Sequence, residues 1–293
     1  MKKKCLLTAA TAAATAGLYC MKPNHDEKRL ERLEPFANRR IAHRGLHDNR
    51  TDAPENSLAA FEKAIKGGYG IELDVRLTKD GVPVVIHDAT LRRVAGVNRK
   101  VDDLTLKEIR SYLLFQSDEH VPTFKEALSS IAGKASLVIE IKSGDNNDAL
   151  CEAVVTLLQD YQGDYCVISF SPFVLQWFRK HAPTVIRGQL SMNFFDPWKQ
   201  RKESFIVKFA QTNLLTNCIS KPDFIAYEFK SAEKLPLIVS RNLFHAKTAA
   251  WTIHNEEELK YADRYFDIVV FEGFLPNPIN QNEDNEENKN VTL

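Results

Sequence analysis

Eight short apolar segments alternate with helical patterns along most of this chain, and that alternation limits the fold more than any other feature. The strand candidates are RRIAHRG, GIELDVRL, SLVIEIK, YCVISFS, VIRGQLS, DFIAYEF, TAAWTIH and DIVVFEG. Helical patterns separate most of them. Leu58, Phe61 and Ile65 share one face, and Gly67-Gly68 follows as a stop. Thr123 with Glu126 reads as a capping box, Asn255 with Glu258 as an N-cap and its partner three residues on, and Ser171-Pro172 as an N-cap with a first-turn proline. Eight strands with intervening helices over ~250 residues predict an α/β fold, a (β/α)8 TIM-type barrel. A doubly wound sheet would call for a glycine-rich phosphate loop after the first strand, and the sequence has no GxGxxG. One stretch breaks the alternation. In ELDVRLTKDGVPVVIHD, two strand-like runs flank Lys79-Asp80-Gly81, a strong hairpin signal. A short antiparallel hairpin inserted after strand two would bring His87 toward the end of that strand.

Composition removes several function classes. The 39 basic and 39 acidic residues cancel, so no global field argues for nucleic acid as a partner. The five cysteines are odd in number and form no CxxC, which fits neither a disulfide scaffold nor a zinc knuckle. The first residues differ in kind from the rest. Lys2, Lys3 and Lys4 precede a charge-free stretch ending at Met21, and Ala14-Thr15-Ala16 has the pattern of a cleavage site. Residues 1–35 are thus expected to be a signal or anchor-like segment with a charged linker, residues 36–276 the barrel, and residues 277–293 a disordered acidic tail. The expected location is membrane-associated or exported; the alternative is cytoplasmic.

The residues that do not belong in buried strands carry the chemistry. Glu72 and Asp74 interrupt strand two at a spacing that puts both on one face, and Glu140 with Lys142 does the same in strand three. Barrel strands are buried on both faces, so such charges must be paired or bound to a metal. Salt bridges, Glu140 with Lys142 and Glu72 with Arg76, are the bland alternative. Three carboxylates meeting at one barrel mouth would repel each other, and a divalent cation relieves that. Oxygen-only ligands indicate a hard ion, Mg2+ or Ca2+. With that ion, Arg44 and Lys142 leave the site slightly positive, suited to a monoanion such as a phosphodiester. His43 and His87 then suit general acid–base chemistry, since imidazole can take either role near neutral pH.

These residues, in this order, resemble the glycerophosphodiester phosphodiesterase family: HRG at 43–45, PENS at 54–57, ELDV at 72–75, HD at 87–88 and EIK at 140–142, with weaker support from ISFSP at 168–172 and WTIHN at 251–255. The resemblance spans about residues 40–275. It implies a distorted TIM barrel and metal-dependent hydrolysis of a small-molecule glycerophosphodiester to glycerol 3-phosphate and an alcohol. It implies that His43 and His87 are the acid–base pair, that Glu72, Asp74 and Glu140 hold the divalent ion, and that Arg44 and Lys142 hold the phosphate. The family's vicinal glycerol hydroxyl makes a cyclic phosphate intermediate plausible. Two departures are visible. Ser57 replaces the commoner threonine, and Phe271-Glu272-Gly273 stands where the family often has a strand followed by Thr-Asp. Neither is expected to touch the metal or acid–base residues.

Asn56 could hydrogen-bond the phosphate or a metal ligand, or could simply start a helix. His47, His120, His181, His245 and His254 are expected to have no catalytic work. Residues 192–219 are longer than an ordinary loop and interleave Phe194, Phe195 and Trp198 with Lys199, Arg201, Lys202 and Lys208. They could hang over the active-site face and meet a membrane surface, or form an outer helix with a solvated basic face. A lysophospholipase D or phospholipase C-like activity on lipid substrates is the alternative enzyme. An inactive barrel that binds phosphorylated ligands is the alternative of another class.

Overall fold

The computed structural model describes residues 2–199, 202–277 and 279, so all but the start of the expected acidic tail lies outside the described residues. Nine strands follow in chain order: β1 (Arg40–Ala42), β2 (Gly70–Leu77), β3 (Pro83–Val85), β4 (Leu137–Ile141), β5 (Tyr165–Ser169), β6 (Ile186–Ser191), β7 (Phe224–Glu228), β8 (Lys247–Ile253) and β9 (Ile268–Phe271). All but β3 are parallel and close into a ring. β1 pairs β2 through Ile41 with Gly70, and β9 through Ile41 with Val270. The eight ring strands are the eight segments read from the sequence. β3 lies outside the ring, antiparallel to β2 with Arg76 opposite Val84, and Gly81 takes the left-handed conformation (φ 77°) at the turn. The hairpin follows β2 as expected.

The helix signals are realised locally. Ser57, Thr123, Ser171 and Asn255 each accept a hydrogen bond from the backbone N–H three residues on. On the outer face of β2, Ile71, Leu73 and Val75 pack with Phe61 and Ala64 of the helix Leu58–Lys66. On the inner face the order reverses, because successive side chains alternate. Ile41, Val138, Ile168, Leu190, Phe224 and Val270 fill the barrel. Gly188 is required there: a Cβ on it would stand 2.3 Å from the Phe224 ring.

The charge-dense stretch ahead of residue 36 packs under the barrel. Leu33 and Phe36 are buried in the interior cluster, each worth ~1.5–3 kcal/mol of apolar burial. Arg29 donates from Nε and Nη2 to the two oxygens of buried Asp223, at 2.7 Å each. Charge density hid the Leu30, Leu33 and Phe36 spacing that makes one side of this segment apolar. Ahead of it, the helix Lys2–Met21 leads into the body, where Asn217 Nδ2 donates to the Met21 carbonyl. Among the described residues, no helix is long and apolar enough to cross a membrane.

Candidate active site

The inner-face charges collect at the C-terminal ends of β1, β2 and β4. Asp74 and Glu140 are register partners across β2 and β4, and Glu72 sits one inward position earlier. Ligand oxygens of Glu72, Asp74 and Glu140 all lie within 4.8 Å of one another, and all three residues are buried. Burial pushes the Glu72 carboxyl well above its ordinary value, and the charges of Asp74 and Glu140 push it further. Burial also acts against ionised Asp74, but Lys142, the two histidines and Arg44 overcome it and hold that carboxyl far below the usual range. Lys142 Nζ stands 2.6 Å from Glu140 Oε1 and 2.8 Å from Asp74 Oδ1. Glu140 with Lys142 is thus a salt bridge as well. Arg76 instead donates Nε to the His87 carbonyl at 2.9 Å. Lys142 and Arg44 together leave the three buried carboxylates with a surplus of negative charge, in line with the raised Glu72 carboxyl. Three converging oxygen donors form an acidic triad that could hold a hard divalent cation.

Backbone turns place the neighbours. Arg44 and Asn56 both take the left-handed conformation, with φ of 57° and 58°. That turn lets the Arg44 N–H donate to Glu72 Oε2 at 3.0 Å, and its carbonyl accepts from the Asn56 N–H at 2.9 Å. Asn56 Nδ2 donates to Asp74 Oδ2 at 2.8 Å, so of the open readings of Asn56 the geometry favours contact with a carboxylate of the triad. Gly45, at φ 80°, lies so close to the helix Leu58–Lys66 that a Cβ would stand 2.9 Å from the Ala60 backbone. The HRG motif therefore packs tightly over the start of that helix.

Both histidines are held from behind. His43 Nδ1 lies 2.8 Å from Glu272 Oε2, and His43 Nε2 lies 3.9 Å from Glu72 Oε2. A carboxylate only accepts, so Nδ1 carries the proton and neutral His43 turns the Nε2 lone pair toward the triad. Burial lowers the His43 pKa, while the bond to Glu272 raises it in part. His87 Nδ1 is 2.6 Å from Asp88 Oδ1, which fixes His87 in the same way. The hydrogen bond from His87, then Arg93, holds the Asp88 carboxyl low against burial. Arg93 also donates from Nη1 and Nη2 to Glu55 at 2.5 and 2.7 Å, and Glu55 accepts from Arg44 Nη1 at 2.8 Å. Burial alone would push Glu55 up; Arg93, Arg44 and Asn49 bring it down to about 2. Arg44 and His87 thus hang on one ion-pair chain.

Every residue singled out in the sequence, His43, Arg44, Glu72, Asp74, His87, Glu140 and Lys142, lies in this cluster. One expectation is corrected. The departure at Glu272 touches an acid–base candidate directly, because β9 closes the ring beside β1 and sets Glu272 behind His43. His47 belongs with it: its Nε2 is 3.3 Å from Glu272 Oε1. Asp88, Glu55 and Arg93 were also missed as supports. The first two stand inside the HD and PENS motifs, which was the available signal.

Such an arrangement defines a class: a parallel eight-stranded barrel with a buried acidic triad and two histidines at the C-terminal mouth, where this architecture places its chemistry. Within that class the sequence pattern of the glycerophosphoryl diester phosphodiesterase family matches residues 43–270, and the chain belongs to that family of phosphoric diester hydrolases. A glycerophosphodiester phosphodiesterase of Caldanaerobacter subterraneus is 39% identical over 170 residues, covering 54% of this chain and 69% of the relative. Glycerophosphodiester phosphodiesterase 1 of Bos taurus is 26% identical over 277 residues, covering 85% of this chain and 82% of the relative. Among solved structures, an Oleispira antarctica phosphodiesterase in complex with the product sn-glycerol-3-phosphate superposes with a TM-score of 0.64 at 24% identity, covering 79% of this chain and 91% of that one; it shares the fold.

Proposed function

We propose that this protein hydrolyses glycerophosphodiesters to glycerol 3-phosphate and an alcohol, with one Mg2+ or Ca2+ ion held by Glu72, Asp74 and Glu140. The observation that carries this reading is the set of three buried carboxylates within 4.8 Å of one another, with the Nε2 of His43 3.9 Å from one of them. A bound divalent ion would supply charge neutralisation for the triad and polarise a phosphoryl oxygen. Arg44 and Lys142 neutralise and orient the phosphate. His43, its Nδ1 proton held by Glu272, removes a proton at Nε2 from the attacking oxygen. His87, held by Asp88, donates a proton to the departing alkoxide. One bond from oxygen to phosphorus forms and one breaks, and a proton passes from one imidazole's side of the site to the other.

Product analysis of a glycerophosphodiester panel, with and without chelator, tests this reading. Glycerol 3-phosphate and free alcohol should form only with the divalent ion. Absence of both products under every ion condition would reject it. Product formation in the same assay would exclude the inactive-barrel alternative. Surface association is part of the proposal as well: Trp198, Phe205, Ile206 and Phe209 are exposed within residues 192–219, and Lys2, Lys3 and Lys4 head the first helix. Co-flotation with anionic vesicles would support it, and recovery entirely in the protein-only fraction would oppose it.

A further inference from the structure

Arg76 is an inward-facing charge of β2 that the hydrolase reading leaves without a task. It follows Glu72 and Asp74 at the same two-residue spacing and shares their face. Its Nε donates to the His87 carbonyl at 2.9 Å, which ties the guanidinium to that histidine's own backbone. Among the described residues, neither Nη of Arg76 has a hydrogen-bond or ion-pair partner. The residue is half-buried. Burial pulls its pKa down, and the charges of Asp74, Glu140, Asp88 and Asp102 only partly restore it. A guanidinium stays ionised at any working pH, so this one is a partly desolvated cation without a counter-ion in contact.

Two cavities meet at Arg76. One, of about 660 Å³, opens beside His87 and Glu140. The other, of about 260 Å³, runs past Lys79, Asp102 and Asp145. Lys142 also lines both, but its ammonium is engaged by Glu140 and Asp74 at 2.6 and 2.8 Å. Asp102 and Asp145 are exposed, where water and salt screen them. Arg76 therefore presents the available donors at the junction. Its bond to the His87 carbonyl puts it on the side where the proposed acid meets the departing alkoxide. From Asp74 to Arg76 is two strand residues, about 7 Å, a step that a short alcohol spans from the reacting phosphorus.

We infer that Arg76 is a specificity-determining residue that binds a second phosphate, carried by the leaving alcohol. The inference rests on the hydrolase reading above and adds a subsite to it. Paired N–H donors of a guanidinium match phosphate oxygens, and an anion there supplies the missing counter-charge. A cationic head group would bring like charge against Arg76. The displacement is unchanged. Water supplies the oxygen that joins phosphorus, the bond from that phosphorus to the alcohol oxygen breaks, and the alcohol leaves with a proton and with its own phosphate intact.

Three diesters of sn-glycerol 3-phosphate test this, made with alcohols of equal length: propane-1,3-diol, its monophosphate, and 3-(trimethylammonio)propanol. Release of glycerol 3-phosphate by the full-length protein with Mg2+ or Ca2+ gives kcat/KM for each. The phosphate-bearing diester should exceed the neutral one by about 10- to 150-fold, and the cationic one should be poorest. Arg76→Gln should bring the ratio of phosphate-bearing to neutral substrate close to one, Arg76→Lys should keep part of it, and Arg76→Glu should favour the cationic diester. Each ratio compares substrates on one sample, so a smaller folded fraction in a variant cancels. A ratio near one in the unmodified protein would overturn the subsite. So would an advantage that survives Arg76→Gln, or a loss equal for all three diesters, which would make Arg76 only a support of His87. These outcomes leave the hydrolase reading intact; no turnover of any diester would remove both.

Discussion

Replacing Glu272 by glutamine takes one negative charge from behind His43 while keeping nearly the same side-chain shape. The bond at stake runs from His43 Nδ1 to Glu272 Oε2 over 2.8 Å. A hydrogen bond to a charged group is worth ~1.5–3 kcal/mol. If His43 takes up a proton in the transition state, the carboxylate stabilises the imidazolium forming there and hardly affects the ground state. The loss then falls on the barrier, and kcat/KM should drop roughly 10- to 150-fold. The pH profile moves as well. Burial lowers the His43 pKa and Glu272 partly restores it, so the glutamine variant should have its acid limb at lower pH and its plateau reduced. The assay is head-group release from glycerophosphocholine across about pH 4 to 9, with divalent ion in excess. Glutamine can still accept from Nδ1, so an unchanged plateau with an unchanged acid limb would refute the idea that the charge, through His43, drives the chemistry.

Three further outcomes follow from the same geometry. Mg2+ or Ca2+ should raise the melting temperature of the unmodified protein, by an amount equivalent to about 2.7 kcal/mol at a hundredfold excess over Kd; Asp74→Asn should abolish the rise, and calorimetry reads both. Glu55 has a folded pKa of about 2 against an ordinary 4.5, so the stability it contributes is present above the ordinary value and lost as pH falls through the folded one. That contribution is on the order of 3 kcal/mol, so the urea-unfolding gap between the unmodified protein and Glu55→Gln should close from about pH 5 to about pH 2; a gap constant over that range would contradict it. Gly188→Ala drives a Cβ to 2.3 Å from the Phe224 ring and should destabilise the barrel by about 1–3 kcal/mol in thermal unfolding.

The strands and the triad were legible in the sequence because both obey short-range rules. A strand repeats every two residues, so Glu72 and Asp74 declare a shared face without reference to anything else. The turn at Asp80-Gly81 announces itself from its own neighbours. What stayed hidden depends on ring closure. Glu272 and His43 are 229 positions apart and meet only because β9 pairs with β1. Arg93 reaches Glu55 across 38 positions, and nothing local in either segment marks the contact. Buried Leu33 and Phe36 were masked by the charges around them, and the fit of Phe224 over Gly188 is set by interior volume rather than by pattern.

The most direct trial of the central claim is an anomalous difference map from crystals soaked in Mn2+, which stands in for Mg2+ with a usable signal, together with glycerol 3-phosphate. A single strong peak about 2.0–2.6 Å from oxygens of Glu72, Asp74 and Glu140, with the phosphate beside it and the rings of His43 and His87 turned toward that phosphate, is the expected result. No peak among the three carboxylates, or an ion bound elsewhere while the phosphate still sits between the histidines, would contradict it.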